Sequence, residues 1–361
     1  MTIIRIFTNF SCPNSRAYNF PLLLTKNILK DFGYKLHFEL NLKANYCDCA
    51  FINSNLFRCV WQSKKSEIFN FLEKLRLMKA KIIWFDTTDS TWCTQFEVMP
   101  YVDKFLKAQL FIDKNLYLQS FRTGRIFTDY FDNLYNSGER EVHYPSAKRE
   151  DIAKIGLSWN SCFENYNEQR YSLGQKIRNK LRPYTAGMLG ERIRVDFTEP
   201  SRSRTEPISC RVGTSHSRPS VAAHRKAIME RLEKYGVRKG KIPLPSYFAE
   251  LRNSKIAVSP FGVGEITLRD YEIIICGAAL LKPDMSHLDT WPDLFSDKTC
   301  LTFKWDLSDL EEKIDFLLSN SEKRLEMAEN AQKIYRHHLS EEGIAEFAQR
   351  LISAILCPVL A

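Results

Sequence analysis

The first ninety residues alternate between short apolar runs and amphipathic stretches. Residues 3–8 (IIRIFT) are β-branched and apolar and predict a strand. A helical stretch follows over 15–32, and Gly33 stands where a helix C-cap would place it. In KLHFEL the apolar and polar side chains alternate, and DCAFINS reads as a more buried strand. Ile68, Phe71, Leu72 and Leu75 share one helical face, and KIIWF (Lys81–Phe85) is a strand ending at Asp86. This strand–helix alternation with short connections predicts a doubly wound α/β unit. From about Tyr101 to Gly190 the pattern loosens into aromatic-rich loops, among them SFRTGRIFTDYF.

A second series begins after the polar, Arg/Ser-rich stretch around Ile193–Arg204. PISCRV predicts a strand, GTSHSRPS a loop and Val221–Tyr235 a helix. SKIAVSP (Ser254–Pro260) is a strand, GVGE a glycine loop, and Thr267–Cys276 a helix. AALLKPD and TCLTFKW are further strands, and amphipathic helices run from Leu307 onward. Ser308 with Glu311 predicts a capping box, and Ser340 with Gly343 a weaker helix start.

The 361 residues suit two α/β domains of this kind. No apolar stretch approaches the roughly 20 residues that span a bilayer. The N-terminus reads as a strand rather than a secretory signal. The ten cysteines include no CxxC pair, which predicts buried thiols in a reducing, cytoplasmic setting. Net charge is +9, yet Tyr171–Lys255 holds 19 Lys and Arg against 7 Asp and Glu. That block predicts an anionic partner, although a solvated helix surface accounts for many such residues. No RRM, KH or zinc-finger signature accompanies it, so nucleic acid is not the expected partner.

Candidate chemistry concentrates in SKIAVSPFGVGEITLRDYEIIICGAALLKPD, residues 254–284. A buried strand ends at Ser259-Pro260, and Gly262 and Gly264 let a ligand approach the backbone. The following helix would aim free N–H groups over the strand ends, where phosphate is favoured. Arg269 could lie beside a diphosphate, and Glu272 shares its helical face and could accept ribose hydroxyls. An ordinary strand–loop–helix with a surface Arg–Glu pair has the same spacing.

The segment resembles the donor-binding motif of GT-B-type glycosyltransferases, nearest to the exostosin-like and group-1-like bacterial families. The matching positions are Ser259, Pro260, Gly262, Gly264, Arg269, Glu272, Gly277 and Pro283. The resemblance implies two Rossmann-like α/β domains facing a cleft, with Glu272 on the ribose and the loop and Arg269 facing the diphosphate. It implies an acceptor-side domain over 1–192, a nucleotide-sugar domain over 193–338 and a terminal helix, 339–361, returning to the first domain. In CRVGTSHSR, Gly213, Thr214 and Ser215 resemble the other phosphate-side loop, with Arg218 or Arg225 supplying charge. Glu265 and Glu272 stand seven apart, where retaining relatives commonly place two glutamates eight apart. Stereochemistry is therefore unassigned, and Glu265 serves equally as an acidic charge at a helix start.

For a general base at a strand end of the first unit, WFDTTDS offers Asp86 and Asp89. Both also suit turns and N-caps. Glu97, Arg122, Arg125 and Asp129 are weaker candidates for acceptor contacts. No D-x-D triplet occurs, so neither a metal nor another cofactor is expected, and the nucleotide-sugar enters as substrate. The expected reaction is transfer to a glycan or lipid-linked acceptor in polysaccharide or glycoconjugate synthesis, with possible peripheral contact at an anionic inner membrane face. The alternatives are an epimerase-like nucleotide-sugar enzyme of the same fold and a non-catalytic nucleotide- or nucleic-acid-binding protein.

Overall fold

The computed structural model describes residues 1–92, 94–168, 172, 174, 177 and 194–356. Part of the basic block, residues 178–193, lies outside them, as do residues 357–361 of the terminal segment.

Two parallel sheets organise the chain. The first has six strands in the order β2-β1-β3-β4-β5-β7. They are β1 (Thr2–Phe7), β2 (Tyr34–Glu39), β3 (Cys49–Asn53), β4 (Lys81–Asp86), β5 (Lys104–Lys107) and β7 (Ile155–Leu157). The second, in the order β12-β10-β9-β8, comprises β8 (Glu206–Ser209), β9 (Ser254–Val258), β10 (Ala279–Pro283) and β12 (Cys300–Phe303). Strands buried on both faces become near-continuous apolar runs, as β3 (CAFIN) and β10 (ALLKP) do. Each sheet carries helices on its faces, giving two Rossmann-like units. A short antiparallel pair, β6 (Leu110–Phe111) with β11 (Leu288–Asp289), ties the first unit to the second.

The helices follow the apolar periodicity. α1 (Pro13–Leu24) and α2 (Lys26–Asp31) divide the expected 15–32 stretch, and Gly33 follows with φ of +86°. α3 (Lys65–Leu77) buries Ile68, Phe71, Leu72 and Leu75. α4 (Ile126–Tyr135) emerges from the aromatic-rich region, and α5 (Pro219–Arg231) covers most of the expected Val221–Tyr235 helix. α6 (Leu244–Asn253), β5 and β7 are further elements of the fold. In β5 (KFLK) two apolar residues stand between lysines, and β7 has three residues, so neither shows a periodic signal.

α7 (Leu268–Ile275) is capped by Thr267 and Asp270 in a reciprocal box. α8 (Leu310–Ser319) starts two residues beyond Ser308, with Asp309 at its N-cap and no Ser308–Glu311 box. The Ser308 amide instead closes on Asp306, with positive φ at Leu307. After α9 (Ser321–Leu339), Ser340 caps α10 (Glu341–Arg350) by accepting from Gly343 N. A π-helical turn, Leu351–Leu356, continues onto the first unit, where Lys104 donates to Ala354 O at 2.9 Å. Phe347 packs there against Trp159 and Phe163. Among the described residues no helix is long and apolar enough to cross a membrane, and the described cysteines are free thiols.

Candidate functional site

Both sheets present the carboxyl ends of their strands to the space between them, where ligands bind in open α/β folds. A cavity of about 370 Å³ lies there. The first unit contributes the start of α1 (Cys12–Asn14), Thr87–Asp89 after β4, Gln109 after β5, and Trp159–Ser161 after β7. The second contributes His216, Arg225 and most of the Gly262–Leu268 loop.

Arg225 organises the second wall. From α5 its Nε donates to Phe261 O at 3.0 Å and its Nη1 to Gly213 O at 3.3 Å. The side chain therefore ties together the two loops that the sequence singled out. Gly262 leaves room for it, since a Cβ there would lie 3.4 Å from Arg225 Nη2. Burial, followed by the charge of Arg269, pulls the Arg225 guanidinium down to about 10, so it remains a cation at neutral pH. Arg269 donates through Nη2 to Arg211 O at 2.5 Å, and its buried Nη1 has no partner. Among the described residues neither arginine forms an ion pair. Two neighbouring, part-buried cations without a carboxylate partner among the described residues are costly to bury.

Below them a buried network fixes the loop. Lys282 Nζ lies 2.7 Å from Asp270 and donates to Glu265 O at 3.0 Å. Asp270 also accepts from Ser259 Oγ at 2.5 Å and from Thr267 N at 2.7 Å. The carboxylate at the start of α7 is thus Asp270, and Glu265 lies outside the helix. Glu265 is fully buried and reaches across to the first unit, accepting from Thr91 Oγ1 at 2.5 Å and Thr91 N at 3.3 Å. Burial alone would raise its pKa, but His287 and Thr91 outweigh that and hold it low. A charge at that helix start is the role of Asp270; Glu265 links the two units.

The other sequence candidates divide. Pro260 is buried at the loop root. Gly264 packs against the Asp89–Ser90 backbone. Gly213, Thr214 and Ser215 are exposed at the cleft rim, outside the cavity wall. Arg218 turns to the first unit, paired with Glu139 at 3.4 Å and donating to Thr123 O. Its charge is consumed in joining the units, which corrects the expectation of a free cation. Glu272 is 7% exposed and accepts from Tyr247 OH at 2.8 Å. The cavity wall passes through Leu268 and Tyr271 on α7 and does not include Glu272.

Asp86 is the second correction. Its side chain is wholly buried, 2.5 Å from Lys107 Nζ, and it accepts from Thr88 N and Oγ1. A carboxylate sealed behind the strand end cannot take a substrate proton. Asp89 stands in the cavity with its side chain 29% exposed, accepting from Asn14 Nδ2 at 2.5 Å, with Arg58 3.7 Å away. Among the described residues it is the one carboxylate lining this cavity. Among the described residues, His, Cys, Asp or Glu reach metal-ligand spacing together at His337, His338 and Glu346, far along the chain on the terminal helices. Asp270, Lys282 and Tyr247 escaped the sequence reading. An acid three residues beyond Thr267 was their available signal.

A larger cavity, about 600 Å³, adjoins the first and shares Arg58, Thr88, Asp89 and Val263 with it. Trp61, Glu97, Arg125 and Tyr144 also line it.

Residues 217–349 match the sequence model of a family described as glycosyl transferase-like. No curated protein matches the chain. Several solved structures are similar. T4 phage BGT, in complex with UDP-glucose, has 12% identity and a TM-score of 0.43, covering 99% of this chain and 100% of its own. A glycosyltransferase from Rickettsia africae has 10% identity and a TM-score of 0.46, with 98% of each chain covered. Sucrose-phosphate synthase from Thermosynechococcus elongatus has 12% identity and a TM-score of 0.44, covering 99% of this chain and 100% of its own. The chain thus has two Rossmann-like units facing a cleft, and its second unit matches the glycosyl transferase-like family model.

Proposed function

We propose that the protein transfers a sugar from a nucleotide-sugar to a hydroxyl-bearing acceptor in the cleft between its two units. The observation that carries this reading is Arg225, an unpaired guanidinium in the cavity wall beside a second unpaired guanidinium, Arg269. Together with the N-terminus of α7 they form the cationic cradle for a diphosphate in this reading. As the glycosidic bond breaks, negative charge grows on the diphosphate, and the arginines stabilise it without rearranging. In this reading these cations supply the charge that a metal ion supplies in other enzymes.

Glu272, beside Tyr247, is the ribose ligand in this reading. Asp89 is the base: it reaches both cavities, and Asn14 orients it. An acceptor hydroxyl entering from the larger cavity meets Asp89 before it meets the donor. The proton passes to the carboxylate as the oxygen attacks the sugar carbon.

The test is thermal unfolding of the full chain with UDP, GDP, CMP and dTDP. At a hundredfold excess over Kd one nucleotide should stabilise the wild type by about 2.7 kcal/mol. Arg225→Gln should lose that response. If no nucleotide stabilises the wild type, or the variant responds equally, the reading is wrong.

A further inference from the structure

Arg125 is the N-cap residue of α4, is 5% exposed and lines the larger cavity. Its Nε is buried without a partner, and its guanidinium takes part in no ion pair among the described residues. The surrounding turn explains why. Asp129, one turn into α4, is turned back onto the backbone, accepting from Arg122 N at 2.9 Å and Thr123 N at 2.6 Å. Asp132 pairs with Arg122 and accepts from Ser137 and from Glu139 N. Glu139 is taken by Arg218 and Ser220. Asp129, Asp132 and Glu139 are thus committed elsewhere, and Gly124, at φ +77°, lets Tyr144 close over the turn.

The cavity's own acids are also balanced. Glu97 lies 2.7 Å from Lys65 Nζ, and Asp89 is held by Asn14 with Arg58 nearby. Arg125 is therefore a surplus positive charge, nine-tenths buried and open to a cavity whose wall also includes Trp61 and Tyr144. Burying a guanidinium without an anion is unfavourable, and an arriving oxyanion would make charge-assisted hydrogen bonds there.

We infer that the larger cavity selects an acceptor saccharide bearing an oxyanion, a phosphate ester or a carboxylate, which Arg125 holds while a hydroxyl faces Asp89. This rests on the sugar-transfer reading for the identity of the ligand as acceptor, but the anion preference is measurable without turnover. Arg125 does not line the donor cavity, which separates its role from that of Arg225.

The experiment measures binding of glucose, glucose 6-phosphate, glucuronate and methyl phosphate to the full chain by thermal shift at low salt. It is run without nucleotide and with the donor cavity saturated by the nucleotide that binds best. Under both conditions at least one anionic compound should bind about 10- to 100-fold tighter than glucose, as expected for hydrogen bonds to a charged group. Tighter binding of glucose 6-phosphate identifies a phosphate ester, and of glucuronate a carboxylate. Arg125→Gln should reduce the preference to the level of glucose while the nucleotide response persists. Equal binding of glucose and every anionic compound by the wild type overturns the inference, as does a preference surviving in Arg125→Gln. So does a variant that loses the nucleotide response and keeps the preference. Should Arg125→Gln fail to fold, Arg125→Lys keeps the charge and must retain part of the preference. A wild type that prefers the anions but binds no nucleotide removes the donor reading and leaves the anion site standing.

Discussion

Gly264 lies so close to Asp89 that a Cβ on Gly264 would sit 1.3 Å from the Asp89 carbonyl oxygen. The backbone of the donor-side loop thus rests directly on the residue proposed as base, and Gln109 Nε2 holds the same carbonyl at 2.6 Å. Contact this close admits no side chain. Gly264→Ala must push the loop off Asp89 or separate the two units. The expected result is a loss of about 1–3 kcal/mol in stability, the usual cost of overpacking. Transfer should fall further than the stability loss explains, because the base and donor loop lose their register. Urea unfolding and initial-rate measurements on the same preparation check both parts.

Asp86 and Asp89 stand three residues apart in one loop and should respond in opposite ways. Asp86→Asn strips the buried Lys107 of its counter-charge, and breaking one side of such a pair costs about 3–5 kcal/mol. Asp89→Asn removes a part-exposed carboxylate from the cavity and should leave stability within about 1 kcal/mol. It should nevertheless lower kcat by about 100-fold or more, the usual contribution of a general base. Guanidine unfolding together with turnover assigns the roles. A stable, inactive Asp86→Asn would reverse them.

Much of this was legible in the sequence, and the gaps have physical causes. The strands and helices with strong periodicity, such as β3, α3, β9 and α7, fall where the apolar pattern predicts. β5 and β7 lack the pattern because they are only four and three residues long. Local sequence also located the helix that carries Arg225 and the loop that holds Gly262 and Gly264. It did not show which charges would be spent: Arg204, Arg211 and Arg218 all carry weight in the basic block. In the structure Arg204 donates to carbonyls at Leu251, Ser254 and Cys276, Arg211 pairs with Glu250, and Arg218 pairs with Glu139. Whether an arginine is free depends on which acceptors the fold brings beside it, and the carboxylates Glu250 and Glu139 come from well outside the local sequence of Arg211 and Arg218.

Arg218 and Arg225 provide the corresponding contrast on the donor side. Arg218→Gln leaves Glu139 to Ser220 alone and loosens the contact between α4 and α5. Stability should drop by about 3–5 kcal/mol, the range for breaking a buried pair. Its nucleotide-induced rise in Tm should remain close to that of the wild type. Arg225→Gln should show the reverse pattern, with a small change in Tm and little nucleotide response. Thermal unfolding of the two variants, with and without the best nucleotide, distinguishes a structural cation from a binding one.

His224 makes the contact between the units sensitive to acid. It is 1% exposed on α5, its ring stacks on Phe131 of α4 at 3.8 Å, and its Nε2 is buried without a partner. Burial, with a smaller contribution from Arg225, lowers its pKa to about 3 against the pull of a backbone bond at Trp305. An unfolded imidazole takes up a proton as pH falls below about 6.5. Between that value and about 3 the unfolded chain holds more protons on this group than the folded one. Stability is therefore complete above about pH 6.5 and is lost as pH falls toward 3, at up to about 1.4 kcal/mol per pH unit for this residue. His338, lowered to about 4 mainly by burial, adds to the same slope. Asp132, held at about 2 by Ser137, the Glu139 amide and Arg122 against burial, titrates below the window that separates these effects. His224→Phe keeps a ring to stack on Phe131 and removes the proton. Denaturant unfolding between pH 7 and pH 5 should give a markedly flatter stability profile for this variant than for the wild type. Identical slopes would show that the His224 contact opens before the imidazole is protonated.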